Sequence, residues 1–247
     1  MTIRSELLTA QATAWTWLGL PGVWWTGAQR TAIVAETRHA AGCALCRARK
    51  HAPIPAVIPG THNTISALPA PALEAIHRIR TDSGRLGETW YRRLIGPDLD
   101  QADLTEGHYV ELVAIVAITV AIDSFRTGIG VVPLDLPLAM PGLPTRTTPP
   151  GTRPGLAWMP VLFPNDWAPP TPDLYRTQPG PPERGRGHIH HALSLVPEAM
   201  IAWWDLFEPM YLRSAEMRDF TCEFRAVSHA QIEMLAARTA ALNQCLY

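Results

Sequence analysis

Charge is scarce in this chain. Asp, Glu, Lys and Arg make up 17% of its 247 residues, and the formal net charge is −1. A charge so thin and balanced leaves no electrostatic footprint for nucleic acid or an anionic membrane surface, and neither is expected as a partner. Cysteine is scarce too, at four. Four thiols in a chain of this size do not make a secreted disulfide scaffold. In a cytoplasmic protein, which is the expectation here, close cysteine pairs serve redox chemistry or metal binding. The opening MTIRSELLTAQATAW has no basic segment followed by an apolar run, so no secretory signal is expected. The most apolar stretch, Leu112 to Ile122, has eleven residues between Glu111 and Asp123. A bilayer span needs about 20, so this stretch reads as a buried core helix. There is no Gly-rich phosphate loop, no Ser-His-Asp order and no nucleotide fingerprint, and no cofactor is expected. Strand-like alternation is nearly absent as well, which leaves an all-α fold.

Proline is abundant and unevenly spread. Fifteen of the 24 prolines fall between Pro133 and Pro182, a spacing through which no helix can run. The chain therefore divides into a first helical lobe over 1–132, a Pro-rich irregular connector over 133–187 and a second helical lobe over 188–247. Trp158, Phe163, Trp167 and Tyr175 supply the connector with apolar anchors, so it should lie against the folded body. Helical patterns cover 27–41, 43–51, 70–79, 87–94 and 106–127 in the first lobe, and 188–195, 197–211 and 230–242 in the second. The core helix around Val110 to Ile122 is apolar nearly all round and must be covered on every face, which predicts a homo-oligomer.

Two segments share a register. Thr26-Gly-Ala-Gln29 and Ser228-His-Ala-Gln231 are capping boxes, in which the hydroxyl accepts from a free backbone N–H and the glutamine reaches back. Each opens an amphipathic helix, and each helix meets a stop residue, Gly42 or Asn243, tolerant of the left-handed conformation. From Thr26 to Cys43 and from Ser228 to Cys245 the step is the same, 17 residues. Cys43 should therefore sit at the start of a new helix, where unpaired N–H groups favour a thiolate, with Cys46 placed to close a disulfide. The same spacing also suits two zinc ligands or a structural thiol pair. His62 and His77 are within reach of these cysteines in principle, but ordinary surface or capping roles are expected for them. His188, His190 and His191 read as a solvated helix start.

The order Asn243-x-Cys245-x-Tyr247, with Glu233 twelve residues before the cysteine, resembles the alkylhydroperoxidase D / carboxymuconolactone decarboxylase superfamily. "HALSLVPEAMIAWWDLFEPMYL" is similar to the preceding helices of its peroxidase-related members. The central "HYVELVAIVAITVAIDSFRTGIG" resembles the same core helix, with Glu111 in the glutamate slot and Asp123 where a cysteine would stand. The resemblance implies an oligomeric, all-helical bundle that reduces small organic hydroperoxides through a Cys-x-x-Cys pair, with an external dithiol as reductant. Carried over by position, Cys245 falls on the first redox cysteine and Glu233 on the proton-relay glutamate. In the first lobe Cys43 and Cys46 form the complete pair. The glutamate slot there is Thr31, with Glu36 the nearest carboxylate, and the histidine slot is Lys50, with His51 beside it. The second lobe thus reads as C-terminally incomplete, with Cys245 silent. The alternative is a non-catalytic helical scaffold or a small-ligand-binding protein that keeps the fold.

Overall fold

The computed structural model describes residues 3–96, 104–175, 188–213, 215–243 and 245. Among the described residues the fold is all-α: eight α-helices, a few single 3-10 turns and two isolated bridges, with no strand. The helices are α1 (Ser5–Gly19), α2 (Gly27–Ala40), α3 (Ala44–His51), α4 (Ala70–Asp82), α5 (Glu88–Leu94), α6 (Glu106–Gly128), α7 (Pro197–Met210) and α8 (His229–Leu242). Both capping boxes form. Thr26 accepts from the Gln29 N–H and Ser228 from the Gln231 N–H, and each glutamine reaches back to its cap residue.

The central element is α6. Thr105 caps it, and twelve of its 23 residues are buried, among them Leu112, Ile115, Ile118 and Ile122. It packs against α1, α2, α4 and α7 of its own chain. By length and composition α6 could cross a bilayer, yet most of its apolar window is buried inside the fold. The eleven-residue apolar run underestimates it, because polar residues at each end continue the helix.

Two elements differ from the sequence reading. No helix was expected at α1, yet Leu7, Gln11, Ala14, Trp15 and Leu18 recur at helical spacing and are buried. This stripe packs α1 against α7 and α2. The helix expected over 188–195 is replaced by a single 3-10 turn, His188–His190, and following turns. Pro197 opens α7, and its ring keeps Val196 out of the helical region at φ −126, ψ 88, so no helix runs through that junction. Asn243 ends α8 at φ −91 and Gly42 follows α2 without entering the left-handed region, so neither helix stops by the conformation expected.

Residues 133–149 of the connector run without helix or turn along the body, and residues 150–175 fold into turns with one isolated bridge, Arg153 to Val161. A proline-rich segment has few N–H groups to offer, so its carbonyls take donors from the body. Trp15 Nε1 donates to Asp135 O at 3.0 Å, Arg38 Nη1 to Leu134 O at 2.8 Å and Thr31 Oγ1 to Pro137 O at 3.1 Å. Leu162, Leu174 and Tyr175 then form a small second cluster with Met200 and Trp204 of α7.

Candidate metal centre

The break between α2 and α3 builds the first half of the site. The Gly42 N–H bonds to His39 O at 3.0 Å and the Cys43 N–H to Ala40 O at 3.1 Å, which closes α2. Cys43 then takes the N-cap position of α3 with extended backbone, φ −65 and ψ 124, and Cys46 lies one turn along. Both thiols are buried, Cys43 at 3% and Cys46 at 2% exposure, and they are not joined by a disulfide. The far end of α3 is held by Arg85, whose guanidinium donates to the carbonyls of Arg49, Lys50 and Ala52 and pairs with Asp82 at 2.9 Å. Among them, Arg49 O also accepts from the Ala52 N–H at 3.2 Å, while the carbonyls of Lys50 and Ala52 lie past the last helical hydrogen bonds of α3.

The second half comes from α4 and from the segment between α3 and α4. Glu74 and His77 are three residues apart on α4, hence on one face, and α4 packs on both α2 and α3. His77 Nδ1 lies 3.3 Å from Cys46 Sγ. His62 Nδ1 lies 3.4 Å from Cys46 Sγ and 3.6 Å from Cys43 Sγ. The four candidate donor atoms of Cys43, Cys46, His62 and His77 fall within 4.8 Å of one another.

Each imidazole is held from behind. His77 Nε2 is 3.0 Å from Glu36 Oε1, and the other oxygen of Glu36 accepts from the Ile65 N–H at 3.1 Å and Ser66 Oγ at 2.7 Å. His62 Nε2 is 2.8 Å from Glu74 Oε2, and Glu74 also takes donors from Arg49 and Trp90. In a neutral ring, an Nε2–H that donates to a carboxylate leaves Nδ1 as a lone-pair donor turned toward the thiols.

The electrostatics follow from this crowding. Burial alone would push Cys43 up, but the Cys46 backbone N–H, His62 and the Asn63 N–H outweigh it and bring the thiol down to about 6. Burial opposes the same direction at Cys46, where His62, His77 and Thr81 lower the thiol. For His62, burial lowers the ring, but Cys46, Glu74 and Cys43 raise it to about 10. Glu74 is driven down to about 2 against the effect of burial, by His62, Trp90 and Arg49. Glu36 is likewise held below the usual carboxylate range by Ser66, His77 and Ile65, against burial.

Of the residues singled out from sequence, Cys43, Cys46 and Glu36 meet here, with Glu36 acting through His77. His51 ends α3, is exposed and bonds to neither thiol. Glu233 is exposed on α8 and accepts from Tyr211 Oη at 2.7 Å, and Cys245 is exposed beyond the same helix. His62, His77 and Glu74 carry the cluster, and the ordinary roles expected for the two histidines do not describe them. A Cys-x-x-Cys pair followed by two histidines was the available signal, but a separation of 31 residues between Cys46 and His77 is far outside zinc-finger spacing.

In comparisons with family models, curated proteins and solved structures, none matches this chain.

Proposed function

We propose that this chain is a metalloprotein whose Cys43, Cys46, His62 and His77 hold one zinc-type divalent ion. The observation that carries this is the set of sulfur–nitrogen distances, 3.3, 3.4 and 3.6 Å. Zinc bonds of about 2.3 Å to sulfur and about 2.0 Å to nitrogen, at a tetrahedral angle, put such atoms about 3.5 Å apart. A thiol–imidazole hydrogen bond has a similar length, so the count of partners decides between the two. Without an ion, the two thiol S–H groups can donate to two Nδ1 lone pairs, one on each ring, and the third sulfur–nitrogen contact is left without a hydrogen. Ionised thiols would instead need both rings protonated, two cations with ring centroids 4.1 Å apart. A divalent ion between two thiolates and two neutral imidazoles removes the conflict, and the carboxylates then orient the rings.

Four protein donors complete a tetrahedral shell and leave no open position, which is the pattern of a structural rather than a catalytic ion. Its role here would be to tie α3 and the segment carrying His62 onto α2 and α4.

A second reading is favoured by the lowered Cys43 thiol, about 6: a thiol-dependent peroxidase on an alkylhydroperoxidase D-like fold. A thiolate of the pair would attack the terminal oxygen of an organic hydroperoxide, and the O–O bond would break to leave a sulfenic acid and, after protonation, an alcohol. The second thiol would then displace water to form the disulfide, and an external dithiol would return both sulfurs to thiols while itself becoming a disulfide. The chain Glu36–His77–Cys46 would supply the proton. The low exposure of both sulfurs weighs against this reading.

The two readings separate in one experiment on the purified, reduced chain. Elemental analysis should find one zinc per chain. Cobalt exchanged into the site should give the intense visible bands of a tetrahedral thiolate complex. If instead no metal binds and cumene hydroperoxide oxidises Cys43 and Cys46 stoichiometrically to a disulfide, the metal reading fails and the peroxidase reading stands.

A further inference from the structure

A second polar site lies away from the thiols, where α2 and α6 face each other. Arg30 and Glu111 are each only 1% exposed in their side chains and approach to 3.4 Å. This is an ion-pair distance, but the pair lacks hydrogen-bond geometry. Arg30 Nη1 donates to Leu20 O at 3.0 Å, and Glu111 Oε2 accepts from the Trp24 N–H at 2.7 Å. Arg30 Nε and Nη2 and Glu111 Oε1 have no hydrogen-bond partner. Buried donors and acceptors in that state are costly, and charged groups more so than neutral ones. The guanidinium is also stacked 3.7 Å above the Trp17 ring, so its plane is fixed.

Both side chains line a cleft of about 250 Å³ whose walls include Pro21, Val23 and Val196. Gly22 forms part of the lining, and a Cβ there would stand 1.8 Å from Glu111 Oε1. The cleft adjoins an apolar groove of about 480 Å³ between α1 and α7, lined by Ala10, Ala14, Ile201, Ala202 and Leu206. Trp17 and Glu198 belong to both.

We propose that this is a binding site for a small aliphatic monocarboxylic acid, with its head on Arg30 and Glu111 and its chain in the groove between α1 and α7. The planar fork of Arg30 offers two unused N–H donors, which matches the two oxygens of a carboxylate. Glu111 Oε1 is placed to share a proton with that carboxylate. Burial raises Glu111 to about 7 even though Arg30 pulls it down, so a proton is at hand near neutrality. The charged groups that face this proton are Arg30 from α2 and Glu198 from α7, and the Trp24 N–H faces it from the segment before α2. Two glutamates beside one arginine disfavour a phosphate dianion, and an ammonium head would meet the guanidinium. The apolar groove asks for a hydrocarbon tail and leaves a short acid such as acetate without one.

The test is isothermal titration calorimetry of the full chain with octanoate, acetate and octylamine. Octanoate should bind one to one and at least about tenfold more tightly than acetate, with octylamine giving no saturable heat. Arg30→Gln should weaken octanoate by about tenfold or more. Because that buried position is also structural, Ala202→Phe provides the second arm: it fills the groove without touching the head site. It should weaken octanoate by about tenfold and leave acetate unchanged. The proposal is overturned if octanoate gives no saturable binding to the native chain, if octylamine binds equally well, or if Ala202→Phe binds octanoate as the native chain does. Metal content is read separately and does not enter these outcomes.

Discussion

His77 Nε2 lies 3.0 Å from Glu36 Oε1 while Nδ1 of the same ring faces Cys46 Sγ at 3.3 Å, with the histidine and the carboxylate both fully buried. One ring thus links a carboxylate on α2 to a thiol on α3 through a histidine on α4. With a metal ion bound as proposed, the link would have a direction: a carboxylate accepts only, so Nε2–H would donate to Glu36 and the Nδ1 lone pair would face the ion.

Glu36→Gln keeps the shape of that link and removes its charge. We expect the metal to remain bound but with about 10- to 100-fold lower affinity, measured by competition with a coloured chelator. Unchanged affinity would mean that the carboxylate only fills space.

Cys46→Ser should abolish metal binding and lower the melting temperature to that of the chelator-treated native chain, because metal affinity at a structural site is folding free energy. Cys222→Ser, Cys245→Ala and Glu233→Gln should change neither quantity, since all three residues are exposed and lie outside the cluster. A loss of metal in any of these three would place a ligand elsewhere.

Stability should depend on pH through Glu111. Its folded value, about 7, lies above the ordinary 4.5 because burial disfavours the charged form and Arg30 offsets this only in part. A group raised in this way contributes stability that is fully present below 4.5 and is lost as pH rises through about 7. The native chain should therefore lose on the order of 2 kcal/mol relative to Glu111→Gln between about pH 5 and pH 8, in urea melts at each pH. Parallel pH profiles for the two proteins would contradict this.

Gly107→Ala should destabilise, although Gly to Ala inside a helix ordinarily gains about 1 kcal/mol. A Cβ on Gly107 would stand 2.2 Å from Cε2 and Nε1 of Trp24, whose ring also packs against His108 at 5.0 Å between centroids. We expect a loss of about 1–3 kcal/mol by urea denaturation. A gain would show that the indole moves aside at no cost.

Much of the fold was legible in the sequence because its signals are local. A hydroxyl and a glutamine three residues apart make a capping box wherever they stand, and both did. The break before Cys43 was equally legible, although it forms through the N-cap geometry of Cys43 and not through a left-handed Gly42. The missed helix α1 carries its apolar stripe in mixed residues, Gln11 and Trp15 beside Leu7 and Leu18. Such a stripe becomes plain only when α7 and α2 lie against it.

The sequence by itself determined the all-α class, most helix limits and the pairing of Cys43 with Cys46 one turn apart, since each depends on neighbours within a few residues. Tertiary structure decided the rest of the site. His62 and His77 are 16 and 31 residues from Cys46, and nothing periodic connects them to it. They reach it because α4 packs on both α2 and α3, which sets Glu36 and Glu74 behind the two rings. Burial then turns these six side chains into one electrostatic unit, since charges kept from water interact strongly at short range. The same holds for Arg30 and Glu111, 81 residues apart, which meet because α2 lies along α6.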